Sequence, residues 1–184
     1  MIDPLLALTL TQPWAGLVAA GIKPLENRTR KMAPRSLFGK RFAIHASKVI
    51  DEDVYKTIMD LDDGIGSCTY IDPSDGMLVQ SIATDSAWYK LSRITGAIIG
   101  TAVLKHELCG WREADIKFHR EALEQQFELL IGPGKHWRWM FGPQVYVLSD
   151  IKPLREPVPC RGMQGFWTVP EGPARAVRAQ LEAA

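Results

Sequence analysis

Cysteine, net charge and long apolar runs are all scarce in this sequence, and each scarcity removes a class of function. The 22 Lys and Arg stand against 21 Asp and Glu, a net charge of +1. That balance gives no global attraction to a polyanion, so any nucleic-acid binding has to come from a local cluster of charge. Cys68, Cys109 and Cys160 are odd in number and far apart, with neither CxxC spacing nor a disulfide framework. They read as reduced thiols, and the expected compartment is the cytoplasm. No segment approaches the ~20 apolar residues that span a bilayer, and Met1-Ile2-Asp3-Pro4 has no basic stretch ahead of an apolar run. Neither membrane insertion nor export is expected. His106 and Glu107 lack a second histidine at ligand spacing, and no serine lies in a nucleophile-elbow pattern. No metal and no cofactor is expected, and internal repeats are absent.

What is present suits one self-sufficient core. The 46% hydrophobic content in 184 residues is that of a soluble globular domain, and the length is short for two. Strands are expected over residues 5–10, 22–28 (an edge, because of Pro24), 42–46, 94–104, 144–148 and 165–169. A short helix follows the first strand, with Gly21 as its stop. Residues 51–61 and 114–130 have the polarity and spacing of further helices. Gly100 interrupts the most apolar strand, where a missing side chain permits a bulge. Gly, Asp and Ser crowd residues 62–85, which read as an insertion. The organisation expected is a single domain over residues 1–170, interrupted at about 51–93, and a helical tail over 171–184.

Several segments together resemble the ASCH domain family, named for homology to a domain of an activating signal cointegrator. They are Leu8-Thr9-Leu10-Thr11-Gln12-Pro13-Trp14-Ala15, Gly21-Ile22-Lys23-Pro24-Leu25-Glu26-Asn27-Arg28, Gly39-Lys40 and Ile44-His45-Ala46-Ser47-Lys48. Gly96-Ala97-Ile98-Ile99-Gly100, Tyr146-Val147-Leu148 and Gly162-Met163-Gln164-Gly165-Phe166-Trp167 continue the pattern in the family's order. The resemblance implies a PUA-like mixed β-barrel, mainly β with flanking helices and α+β overall. It also implies a cleft where Lys, Glu and Arg meet, in proteins associated with RNA or, in one branch, in small amidohydrolases acting on acylated cytidine. That branch uses a lysine, a threonine three residues later and a later glutamate. Here the lysine is Lys23, Glu26 stands in the threonine's place, and Glu107, Glu113 or neither supplies the later carboxylate. The matched segments add Gln12, His45, Ser47 and Lys48 to the candidate base site.

The residues themselves point the same way. On a strand, Glu26 and Arg28 share a face, and Lys23 precedes them. An exposed cluster of this kind is a solvated ladder, whereas a sheltered one orients a ligand or tunes a lysine for proton transfer. A base needs an aromatic face, and Trp14, Trp111, Trp137, Trp139 and Phe141 are candidates, with Trp137 and Trp139 on one face if extended. Arg30, Lys31, Arg35 and Lys40 form the densest positive stretch and are expected to anchor a phosphate backbone. Three functions remain open. The first is binding of RNA, single-stranded DNA or a free nucleoside. The second is hydrolysis, as an amidohydrolase or ribonuclease through Lys23, Glu26 and Glu107. The third is docking of a protein partner.

Overall fold

The computed structural model describes residues 3–30, 32–54, 58, 67–71, 78–82, 86–110, 118–132 and 136–183. Its strands are β1 (Leu6–Gln12), β2 (Leu25–Arg28), β3 (Arg41–Ile50), β4 (Ser67–Ile71), β5 (Leu78–Ile82), β6 (Ala97–Cys109), β7 (Gln144–Pro159) and β8 (Phe166–Thr168). Its helices are α1 (Trp14–Ala19), α2 (Ala87–Ser92), α3 (Arg120–Ile131) and α4 (Glu171–Glu182), with 3-10 turns at Arg35–Leu37 and His136–Trp139. Among the described residues no helix is long and apolar enough to cross a membrane.

Six strands make one mixed sheet in the order β2-β7-β6-β3-β1-β8, and β4 pairs with β5 in a separate hairpin. Only the β1–β3 ladder of the large sheet is parallel. The α+β class expected from the sequence is present, but the closed barrel is not: the sheet ends at β2 and β8. The reason is physical. β8 has three residues and β2 four, and the outer side of β2 is engaged by the 136–139 turn, where Asn27 Nδ2 donates to the Trp139 carbonyl at 2.8 Å.

Alternation along the strands sorts apolar side chains to two faces. From β1, Leu8 and Leu10 join Ala15, Val18 and Ala19 of α1 and Ile44 of β3 on one face, while Ala7 meets Ala43, Ile98 and Trp167 on the other. Gly100 does what the sequence suggested. The β6–β7 register shifts between Ile98 and Gly100, and a Cβ there would lie 3.1 Å from Ala19 Cβ, so the missing side chain lets α1 press on the sheet.

The tail helix α4 packs Ala174 and Val177 into the second face. The interrupting segment also reaches the core: Trp88 of α2 is buried with Leu17 and Leu25, and Ser92 lies close enough to Gly16 that a Cβ there would be 2.5 Å from its nitrogen. Most of the helix expected at 51–61 and much of the stretch at 62–85 lie outside the described residues; within the latter, β4 and β5 pair with each other apart from the large sheet. The helix expected over 114–130 is described from Arg120 onward as α3.

Candidate functional site

Helix α1 ends at Ala19, Gly21 adopts a left-handed φ of 77°, and the Leu17 carbonyl accepts from the backbone N–H groups of both Ile22 and Lys23. This tight exit turns Lys23 back over Trp14, the first residue of the same helix. β2 then pairs antiparallel with β7, with Leu25 opposite Val147 and Glu26 opposite Tyr146. Leu25 and Val147 share one core cluster, so Glu26 and Arg28 project together from the opposite face.

The three charges form one cluster. Lys23 Nζ donates to the Leu25 carbonyl and to Glu26 Oε2, the latter at 3.1 Å, and Arg28 Nη2 lies 3.2 Å from Glu26 Oε1. Lys23 is 2% exposed and Glu26 6%, which separates this cluster from a solvated ladder. Burial pushes the Lys23 ammonium below its ordinary pKa, Arg28 pushes the same way, and Glu26 opposes them. Lys23 Nζ also stands 5.5 Å above the Trp14 ring.

Aromatic rings wall the cluster. Trp139 meets Trp14 edge to face at 6.5 Å, and the half-exposed Phe141 tilts against Trp14 at 6.3 Å. Asn27 fixes this wall, its Nδ2 donating to the Trp139 carbonyl and its Oδ1 accepting from Phe141 N–H, each at 2.8 Å. The half-open pocket has a volume of about 390 Å³ and is bounded by Trp14, Phe141, Lys23, Glu26 and the Thr9–Thr11 strand.

A wider groove of about 1620 Å³ adjoins it, and Thr9, Thr11 and Arg28 line both. The charged side chains along the groove are Arg28, Arg30, Lys48 and Arg161, all cationic. His45 forms part of its floor. The ring Nε2 lies 3.0 Å from the Cys160 carbonyl, to which it donates in the neutral tautomer that fits, and Trp167 packs edge-on at 5.6 Å. Gly162 touches the same ring: a Cβ there would fall 2.3 Å from His45 Cε1. The 160–165 segment can pass over His45 only with glycine at that position.

Burial pushes the His45 imidazolium below its ordinary pKa, more than the Cys160 carbonyl raises it. Near pH 6.5 the unfolded chain therefore takes up a proton that the folded chain refuses. Stability is full above about pH 6.5 and falls as pH drops through that value, levelling off below the folded-state pKa. The urea midpoint of the wild type is expected to fall more steeply than that of His45→Gln between about pH 7.5 and 5.5. Parallel slopes would assign the loss to other groups.

The expected site residues separate into two groups. Trp14, Lys23, Glu26 and Arg28 converge on the pocket, and Arg28, Arg30, His45, Ser47 and Lys48 on the groove. Gln12 belongs to neither: it is fully buried, donates to the Leu91 and Ile94 carbonyls at 2.8 and 2.6 Å, and accepts from Gly16 N–H at 3.0 Å. Trp139 stands behind Trp14 as its support. Arg35 starts an exposed turn and lines neither cavity, and Lys40 pairs with Asp3 at 2.8 Å. The basic stretch thus divides, because Leu37 anchors its middle in the core and turns the chain away from the groove. Glu107 lies opposite Tyr146 in the β6–β7 ladder and borders neither cavity. Lys31, Trp111 and Glu113 lie outside the described residues, as does the side chain of Trp137. Phe141, an expected aromatic, lines the pocket, whereas Thr9, Thr11, Asn27 and Arg161 were not expected. Their signal is weak, since each owes its place to a long-range pairing.

No family model matches this chain, and no curated protein matches it. Among solved structures it is similar to a crystal structure of ASCH from Zymomonas mobilis, with 14% identity, a TM-score of 0.47, and 96% of this chain and 94% of that one covered. Two mutant structures of the same Zymomonas mobilis protein match equally, at 14% identity and a TM-score of 0.47, over 96% of this chain and 98% of theirs. A likeness so distant carries no argument about ligand or activity, which rest on the pocket and the groove.

Proposed function

We propose that the protein binds single-stranded nucleic acid, seating one base in the small pocket while the strand lies along the cationic groove. The observation that carries this reading is the continuity of two unlike cavities through Thr9, Thr11 and Arg28. Their chemistry divides as a nucleotide divides. The pocket offers a flat aromatic wall, a buried donor in Lys23 and an acceptor in Glu26, which takes a hydrogen bond from an exocyclic amine. The groove offers four cations and no carboxylate, the complement of a phosphate backbone. Val49 and Met163, both more than half exposed, border the groove and give further bases an apolar surface. A duplex keeps its bases stacked inside and cannot use the pocket.

Fluorescence anisotropy with labelled mixed-sequence oligonucleotides of RNA and DNA, single-stranded and duplex, tests this. Single strands are expected to bind saturably, with a log–log salt slope of about −3 for four phosphate contacts. Trp14→Ala is expected to weaken binding by about 1–3 kcal/mol, about fivefold or more. Equal affinity for duplex, or no saturable signal, would remove the proposal. A hydrolytic reading has one supporting feature, the depressed proton affinity of Lys23 beside Glu26. Products from N4-acetylcytidine or from the oligonucleotides themselves, lost in Lys23→Ala and Glu26→Gln, would favour it over binding alone.

A further inference from the structure

We infer that the junction between pocket and groove is a phosphate site, formed by the Arg28 guanidinium and the free main-chain edge of β1, so that the ligand is a nucleotide rather than a nucleoside. The inference rests on the base-seating reading above.

The edge is free because β8 is short. The Leu5 carbonyl accepts from Val169 N–H at 2.8 Å and Ala7 lies opposite Trp167, so the odd-numbered residues of β1 turn their main-chain groups toward β8. The Gln12 carbonyl accepts from Asp51 N–H at 2.8 Å on the β3 side, as alternation requires. Pairing with β8 stops at Leu8 opposite Phe166, where Gly165, at φ 69°, leads the chain aside. Thr9 and Thr11 continue the strand past that point. The Leu8–Phe166 bridge turns Thr9 N–H toward Gly165, whereas Thr11 lies beyond the ladder with its N–H on the same open side by alternation, and both residues line both cavities.

Arg28 reaches the same place from the opposite wall. Its Nη2 donates to the Thr9 carbonyl at 3.3 Å and contacts Glu26, while its Nε is buried with no hydrogen-bond partner among the described residues. Nε is closed off, so an incoming acceptor meets the exposed part of the guanidinium, where 20% of the side chain is open and donors remain. A phosphate supplies oxygens to a guanidinium fork and to backbone N–H donors at once. The junction is also where the sugar–phosphate link must pass when a base occupies the pocket and its neighbours occupy the groove.

The test is competition against a labelled mixed-sequence single-stranded 10-mer, using the four ribonucleosides, their 3′- and 5′-monophosphates and inorganic phosphate. For the base that binds, the monophosphate in one of its two forms is expected to compete at least ~tenfold better than the nucleoside in wild type. The ratio of the two, which cancels any loss of base affinity common to both, is expected to fall to about threefold or less in Arg28→Lys, which keeps charge and loses the fork. Thr11→Pro removes one edge N–H at a position where a strand edge tolerates proline, and its ratio is expected to fall below that of Thr11→Ala, which keeps the N–H. If Thr11→Pro fails to fold by circular dichroism, Arg28→Lys decides alone. A wild-type ratio near one, or a ratio unchanged in Arg28→Lys, overturns the phosphate site while leaving base seating intact if the 10-mer still binds. Failure of the 10-mer and every nucleoside to bind overturns the base-seating reading instead.

Discussion

Replacing Glu26 with alanine is expected to lower the unfolding free energy by about 3–5 kcal/mol, because it leaves the Lys23 ammonium buried without its countercharge. Lys23 is 2% exposed and cannot swing into water from its place over Trp14 without opening the turn that follows α1. Arg28 is less affected, since 20% of its side chain reaches solvent. For a chain of this size the thermal midpoint is expected to fall by roughly 6–20 °C. Adding Lys23→Met in a Lys23→Met/Glu26→Leu pair should restore much of the loss, because a well-packed apolar pair of similar volume replaces a desolvated ionic one without cost. Urea unfolding of the two single variants and the pair measures the coupling. A Glu26→Ala protein as stable as wild type would mean that the lysine already sits there neutral.

The second large effect is expected at Gln12, where alanine removes three hydrogen bonds and leaves buried partners behind. This one amide serves the Leu91 and Ile94 carbonyls and the Gly16 N–H, the Leu91 carbonyl accepting also from Ile94 N–H at 3.3 Å, and it ties the end of α2 and the chain entering β6 to the start of α1. Each orphaned buried group, the Ile94 carbonyl and the Gly16 N–H, costs about 1–3 kcal/mol, so a total loss of about 2–6 kcal/mol is expected, partly relieved where water enters. Gln12→Glu is instructive beside it: a carboxylate can still accept from Gly16 N–H but would oppose two carbonyl oxygens. Guanidinium unfolding measures both variants. Stability within about 1 kcal/mol of wild type for Gln12→Ala would contradict the buried role.

The contrast between Gln12 and Glu26 marks how far the sequence is legible. Glu26 and Arg28 lie two residues apart, strand geometry puts such residues on one face, and the turn before them brings Lys23 within reach. The cluster is therefore local in the chain and readable. Gln12 lies in an equally suggestive motif, yet its partners are 79 and 82 residues away, and nothing near it says that its amide faces inward. The far wall of the groove has the same character. Gly162 meets His45, and Arg161 lines the groove, because the end of β7 pairs with β6 and β8 with β1, and the one local hint is the pair of glycines, Gly162 and Gly165, ahead of Phe166-Trp167. The strand expected at 144–148 runs on to Pro159 as β7, with Pro153 opposite Gly100 beside a register shift and Pro159 at the ladder's end, so prolines that rule out a helix sit where a sheet tolerates them. Barrel closure was inferred from resemblance, and it fails on the shortness of two edge strands, a length that apolar patterning leaves undetermined.

The pairing of β1 with β8 has a consequence for biosynthesis. Leu6 and Thr168 are partners, so the ladder joins two segments far apart in the chain, and closing so long a loop is entropically slow. A polypeptide leaving the ribosome has the Trp14–Lys23–Glu26 segment early but lacks the opposite wall until residues 160–168 have emerged. Nascent chains would therefore carry an open strand edge, and the pocket and groove stand complete only after residues 160–168 have left the ribosome.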